Sequence, residues 1–297
     1  DSKTPLLYLC AAGVSNVGLN IFFVVVCKMD VAGVALGTII AQMISSTLVL
    51  IHLMRLQGHC KVRLRSLRIH KDALFDILRI GLPAGIQGCI FSLSNVIIQS
   101  SINGFGEVAI TANADAANIE GFVYTAMNSV SQACLTFTGQ NYGARLRKNM
   151  DVSLLDSLLA VTVIGLVLGF GAYLLGAYVM RIYTTTPEVI EIGVRRLSVT
   201  CTTYCLCGIM DVLVGNLRGR GYSFLPMCVS IAGVCGVRIV YIFTYFAVNR
   251  TLLVLYLSYP ISWFATVLVH TVSLLIVRKK EKRAQWKDMP ARQTNLA

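Results

Sequence analysis

The chain is written in long uncharged blocks separated by short polar ones. No Asp, Glu, Lys or Arg occurs from Pro5 to Cys27, Val31 to Ile51, Ile80 to Gly106, Gly121 to Ala144, Ser157 to Met180, or Thr251 to Val277. Each block is long enough to cross a bilayer as a helix, which takes about 20 residues. Two further spans are read around interior charges, Pro187 to Leu217 around Asp211 and Tyr222 to Ala247 around Arg238. The block at Gly121 extends outward through Glu120 and Asp115 to Val108. The pattern therefore predicts an all-α polytopic membrane protein with eight transmembrane helices. Composition agrees, since 56% hydrophobic and 13% charged residues exceed what a water-soluble fold hides.

Lys and Arg test the count, because loops kept in the cytoplasm collect positive charge. With eight spans, one side receives 61–79, Arg145 to Lys148, Arg218 with Arg220, and the tail from Arg278. The alternation holds across the loops and predicts a multi-pass protein of the plasma membrane with both ends cytoplasmic. The net charge of +12 is thus spread over inside loops and points to the lipid bilayer, not to nucleic acid. Eight of the ten cysteines fall inside apolar helices and read as small packing residues. Without His or acidic ligands at a suitable spacing, no metal site is expected.

An internal repeat organises the chain. Ser2-Lys3-Thr4-Pro5 followed by Gly13-Val14 and Val17 recurs as Ser223-Phe224-Leu225-Pro226 followed by Gly233-Val234 and Val237, about 220 residues later. Helices one and two then correspond to seven and eight, and six-helix units follow. The chain opens on Asp1 without a leader peptide and reads as lacking its natural beginning. The expected domains are 1–57, the last two helices of an incomplete N-terminal lobe; 58–80, a cytoplasmic connection; 81–277, a complete six-helix C-terminal lobe; and 278–297, a basic tail. Within the connection, Leu74, Ile77 and Leu78 share one face of a short interfacial helix. Pro83 is expected near the start of the next helix, Thr186-Pro187-Glu188 as a capped helix start, and Asn103-Gly104-Phe105-Gly106 as a tight turn.

Chemistry in such a protein sits on polar residues inside the spans, where each costs free energy unless it meets a partner or a cavity. Ser92, Asn95, Gln99 and Asn103 form one stripe at helical spacing. Thr111, Asp115, Asn118, Thr125, Ser129, Gln132 and Thr136 form another. Two such stripes point to a water-accessible cavity, or, member by member, to hydrogen bonds between helices. Glu120 and Arg238 lie at similar mid-membrane depth and are expected to pair, while Asp211 is shallower. A deep carboxylate takes up and releases a proton or a cation as its surroundings change; a permanent ion pair is the competing role.

Five stretches carry a family resemblance: Asp1-Ser2-Lys3-Thr4-Pro5-Leu6, Gly81-Leu82-Pro83, Ile119-Glu120-Gly121-Phe122, Gly139-Gln140-Asn141-Tyr142-Gly143-Ala144, and Leu217-Arg218-Gly219-Arg220-Gly221. With them the chain resembles the multidrug and toxic compound extrusion (MATE) transporters from Asp1 to about Val277. The resemblance implies two six-helix lobes around a central cleft, exporting organic cations in exchange for sodium ions or protons. It also implies a cation site at Asn16, Asn20 and Thr38, although many members carry an acid where this chain has Asn20. In one branch a glutamate follows Gly-Leu-Pro, where this chain offers Phe91 and Ser92.

The reading is a secondary active exporter, monomeric at full length, with no enzyme activity and no resident cofactor. Glu120, Asp211, Arg238, Asp115, Asn95, Gln99, Asn16, Asn20 and Thr38 are its candidate ion and substrate residues. The alternative is a flippase for a lipid-linked precursor, whose cavity needs Arg and Lys for a phosphate. A single deep Arg238 against Asp115, Glu120 and Asp211 favours cation export.

Overall fold

The computed structural model describes residues 3–56, 61–63 and 68–283, and every regular element among them is helical. Ser2 of the repeat, the middle of the polar connection and the basic tail beyond Arg283 lie outside the described residues. The chain separates into two compact units, Asp1–Lys71 and Asp72–Ala297.

The first unit is a helical hairpin. Helix α1 (Lys3–Ile21) widens into a π-helical segment, Phe22–Val26, and turns into α2 (Asp30–Arg55). The turn is closed by Met29 N–H donating to the Phe23 carbonyl at 2.9 Å. The buried residues of α2 are Gly33, Gly37, Ala41 and Ser45, one every fourth position. Small residues at that spacing let two backbones approach closely, the usual way helices associate where no hydrophobic effect drives them. A Cβ on Gly33 would press against Phe23 and Met29, and one on Gly37 against the Asn20 side chain. The outer faces expose Val14, Val17, Val31 and Ile39, a surface that water does not favour.

The second unit contains α3 (Lys71–Asn103), α4 (Glu107–Gly143), α5 (Arg147–Leu174), α6 (Gly176–Tyr183) and α7 (Pro187–Thr200). Helix α7 passes through a 3₁₀ turn, Cys201–Thr203, into α8 (Tyr204–Gly219). Then come α9 (Phe224–Ser230), α10 (Val237–Tyr241) and α11 (Leu252–Arg283). Two π-helical segments, Ile231–Gly236 and Ile242–Phe246, flank α10. Helix α8 is the hub: it packs on α4, α5 and α11, and Val212 to Leu217 are all buried. The core joins Met127 and Cys134 of α4, Leu154 and Val161 of α5, Leu213 and Leu217 of α8, and Trp263 and Leu274 of α11.

Several expectations meet a different outcome. A helix does begin at Lys71, but instead of the expected separate short one it runs unbroken through Pro83 to Asn103. Proline forfeits one backbone bond, and in apolar surroundings breaking the helix would strand several more. Pro187 opens α7 with Glu188 in its first turn, yet Thr186 makes no side-chain cap. The Asn103–Gly106 turn is present, with Gly106 at φ +90°, a conformation glycine adopts freely.

Among the described residues, 7 helical rods are long and apolar enough to cross a membrane. The stretch expected as the remaining span is α4. At 37 residues it is the longest helix described, about 55 Å at the α-helical rise, but its polar stripe dilutes its hydropathy. The repeat is also visible in the backbone: a π-helical segment precedes α2 at Phe22–Val26 and precedes α11 at Ile242–Phe246.

Candidate functional site

Where α4 meets α7, a four-residue polar cluster closes on itself. Arg196 Nε donates to Glu120 Oε1 at 2.8 Å and Nη2 to Oε2 at 2.7 Å, a two-pronged charge-assisted pairing. Thr200 Oγ1 adds a bond to Oε1 at 2.6 Å, and Arg196 Nη1 reaches Asn113 Oδ1 at 2.9 Å. All four residues are buried. The expected partner, Arg238, is not the one found. Arg196 and Thr200 stand one turn apart on the face of α7 that packs against α4, so both reach Glu120. That four-residue spacing was the available signal, and Arg196 and Thr200 are absent from the candidate residues.

Arg238 shares an aromatic neighbour with Arg196. Its guanidinium carbon is 4.5 Å from the centroid of Tyr259, and that of Arg196 is 5.9 Å from the same centroid. Arg238 Nη1 reaches Asn95 Oδ1 at 3.5 Å and Nη2 reaches Ser262 Oγ at 3.4 Å, while Nε has no partner. Both bonds sit at the long limit for a hydrogen bond.

A cavity of about 290 Å³ opens where α3, α4 and α8 converge, lined by Gln87, Phe91, Tyr124, Asn128, Gln132 and Asp211, among others. The Asp211 carboxylate has the Tyr124 phenol as a hydrogen-bond partner and the Arg218 guanidinium as a neighbouring cation. Arg218 Nη2 donates in turn to Gln87 Oε1 at 2.7 Å. Ser131 Oγ holds the Asp211 backbone carbonyl at 2.8 Å, fixing α8 against α4. Of the predicted residues, Asp211 and Gln132 line this cavity. Asp115 is half-buried, with Oδ2 unpartnered. Asn95 and Gln99 are exposed on α3, Gln99 donating to Asn103 at 3.1 Å.

In the first unit, Asn16, Asn20 and Thr38 do come together. Asn20 Nδ2 donates to Asn16 Oδ1 at 3.2 Å, and Asn16 Nδ2 to Thr38 Oγ1 at 3.4 Å. Asn20 Oδ1 is buried without a partner.

A last cluster, which the sequence reading missed, ties one end of the second unit together. Arg220, 1% exposed, donates to Glu281 at 2.6 Å, to Asp151 at 3.0 Å and to Asn216 Oδ1 at 2.8 Å. Arg278 closes on Asp151 at 2.6 Å, Arg147 donates to the Arg278 carbonyl at 2.8 Å, and Asn216 donates to Thr138 at 2.9 Å. Burial and the neighbouring Glu281 carboxylate raise the pKa of the Tyr222 phenol above the usual tyrosine value.

Relatives bear on this geometry. The chain is 26% identical over 247 residues to the probable multidrug resistance protein YoeA of Bacillus subtilis, covering 80% of this chain and 53% of that protein. It is 22% identical over 211 residues to the multidrug export protein MepA of Staphylococcus aureus, covering 70% of this chain and 47% of that protein. The chain thus spans about half the length of the curated relatives it matches. Among solved structures, the Vibrio cholerae MATE transporter VcmN in its bent form superposes with a TM-score of 0.80 at 16% identity, over 95% of this chain and 64% of that one. That likeness concerns the fold. The sequence model of the MatE family matches residues 83–244, more than half of the chain, and on that match the protein belongs to the MatE family of multidrug efflux transporters.

Proposed function

We propose that this chain forms part of a two-lobe exporter that moves organic cations across the plasma membrane by antiport with sodium ions or protons. In this reading α4 is an eighth span, the second unit is a six-helix C-terminal lobe, and both chain ends face the cytoplasm. The names of the relatives, multidrug resistance and multidrug export, favour drug-like solutes. The observation that carries the reading is the polar cavity between α3, α4 and α8, with the Asp211 carboxylate on its wall. Such a cavity inside apolar helices has no packing purpose, and its carboxylate and amide oxygens suit a hard cation or a proton.

The geometry changes the order of the candidates for coupling. Both oxygens of Glu120 are held by Arg196 and Thr200, whereas Asp211 lies on the cavity wall with the Tyr124 phenol as its hydrogen-bond partner and no ion pair among the described residues. Antiport needs a group that binds ion and solute in opposed states, and Asp211 is therefore the first choice. In the protein expressed from its complete gene, Asp211→Asn should abolish ion-driven efflux while leaving the amount of folded protein unchanged. Drug-stimulated proton and sodium flux in proteoliposomes reads this directly. Coupled flux at the wild-type level in Asp211→Asn would refute the assignment.

A further inference from the structure

Arg238 is a charge that the fold does not neutralise. The ion pairs among the described residues engage Arg196, Arg220 and Arg278. The groups that face Arg238 are Asn95 of α3, Tyr204 and Cys207 of α8, Cys235 of the preceding π segment, and Tyr259 and Ser262 of α11. None is a carboxylate. A guanidinium has five donors; this one makes two bonds at the long limit and leaves Nε without a partner, although the residue is only 4% exposed. A buried cation without a counter-charge in a membrane span is costly, and such residues mark functional paths.

The surrounding backbone is unusual in the same place. α10, which carries Arg238, is five residues long and has a π-helical segment on each side. Wide π turns are rare and concentrate at functional sites. Asn95, which is exposed, stands directly over Nη1, so the guanidinium lies one side chain beneath the surface of the second unit.

We propose that Arg238 is an anion receptor: it binds the carboxylate or phosphate group of an amphiphilic solute, with the Asn95 amide at the entrance and the Tyr259 ring as the floor. The planar fork of arginine matches both oxyanions with two parallel bonds. An oxyanion there satisfies the idle donors and supplies the missing charge, and the solute's apolar body is left to the exposed face of α3. The site is independent of how transport is coupled, since it rests on binding alone.

The test uses the protein expressed from its complete gene, purified and held in nanodiscs of phosphatidylcholine. Benzoate, phenyl phosphate and the neutral benzyl alcohol are titrated by calorimetry and by ligand-dependent thermal unfolding. At least one of the two anions should bind about tenfold or more tightly than benzyl alcohol, and the stronger of the two identifies the oxyanion. Arg238→Gln should erase that preference. Because Arg238→Gln sits in the core, Asn95→Asp serves as a second variant at the surface. Asn95→Asp puts a carboxylate where the amide oxygen already lies 3.5 Å from Nη1 and should close the site from within, erasing the preference while the protein unfolds at the wild-type temperature. The proposal falls if the wild type shows no preference for the anions, or if Arg238→Gln or Asn95→Asp keeps it. Failure of the Asp211→Asn flux experiment would leave these outcomes untouched, so the two readings stand or fall separately.

Discussion

Glu120 shows what a single residue's neighbours decide. A carboxylate at mid-membrane depth reads from sequence as a titrating group, but two guanidinium nitrogens and a hydroxyl hold it in place. Removing one partner of a buried pair leaves the other charge exposed to the apolar interior, at about 3–5 kcal/mol in soluble proteins. Glu120→Gln should therefore lower the unfolding temperature and the folded yield, and Glu120→Gln with Arg196→Gln should recover much of the loss. The same cycle with Arg238→Gln should be additive, since Arg238 makes no contact with Glu120. Thermal unfolding of the three single and two double variants checks this; additivity in the Arg196 cycle would sink it. Asn16, Asn20 and Thr38 were expected together through the family resemblance, and the hairpin of α1 and α2 does bring them together. Arg196 was not, because a tertiary partner from a helix about 80 residues away leaves no local periodicity.

At the level of elements, the uncharged blocks located the rods but not their internal breaks. The π segments beside α10 and the 3₁₀ turn between α7 and α8 depend on how neighbours pack, so no propensity marks them. The unbroken run of α3 through Pro83 was missed because proline was weighed as it is in water. The end of α11 was illegible for a similar reason: Glu281 sits in a run of basic residues and reads as a solvated charge, yet it is buried against Arg220. This contact, with Arg278 on Asp151, fastens α11 to α5 and α8. Glu281→Gln keeps the shape and removes the charge. The last turns of α11 should then exchange amide hydrogens at least about tenfold faster while the middle of the helix stays protected. Unchanged protection from Val277 to Glu281 would show that the ion pair does not hold the helix end.

For the whole molecule, the decisive question is whether α4 crosses the membrane, because every loop after it changes side with the answer. Composition leaves α4 out of the apolar rods, while its length and its packing argue for a crossing. It lies along α5 and α8, its middle is joined to α7 through Glu120, and Thr138 near its end is joined to Asn216 of α8. A helix that ran beside two spanning neighbours without crossing would leave their polar side chains facing lipid, which the bilayer penalises. The Arg220 cluster adds a constraint: the end of α4, the start of α5, the end of α8 and the end of α11 share one face of the second unit. If α4 spans, that face carries Arg147, Lys148, Arg218 and Arg220 together, and the excess of basic residues assigns it to the cytoplasm. Single cysteines introduced beside Arg147 and beside Arg220 should then react with an impermeant maleimide only from the cytoplasmic side, and cysteines beside Glu107 and Asn249 only from outside. Because Glu107 and Arg147 bracket α4, their labelling is the direct reading. Modification of both from the same side would remove α4 from the spans, reduce the crossings to seven, and separate groups that the Arg220 cluster holds together.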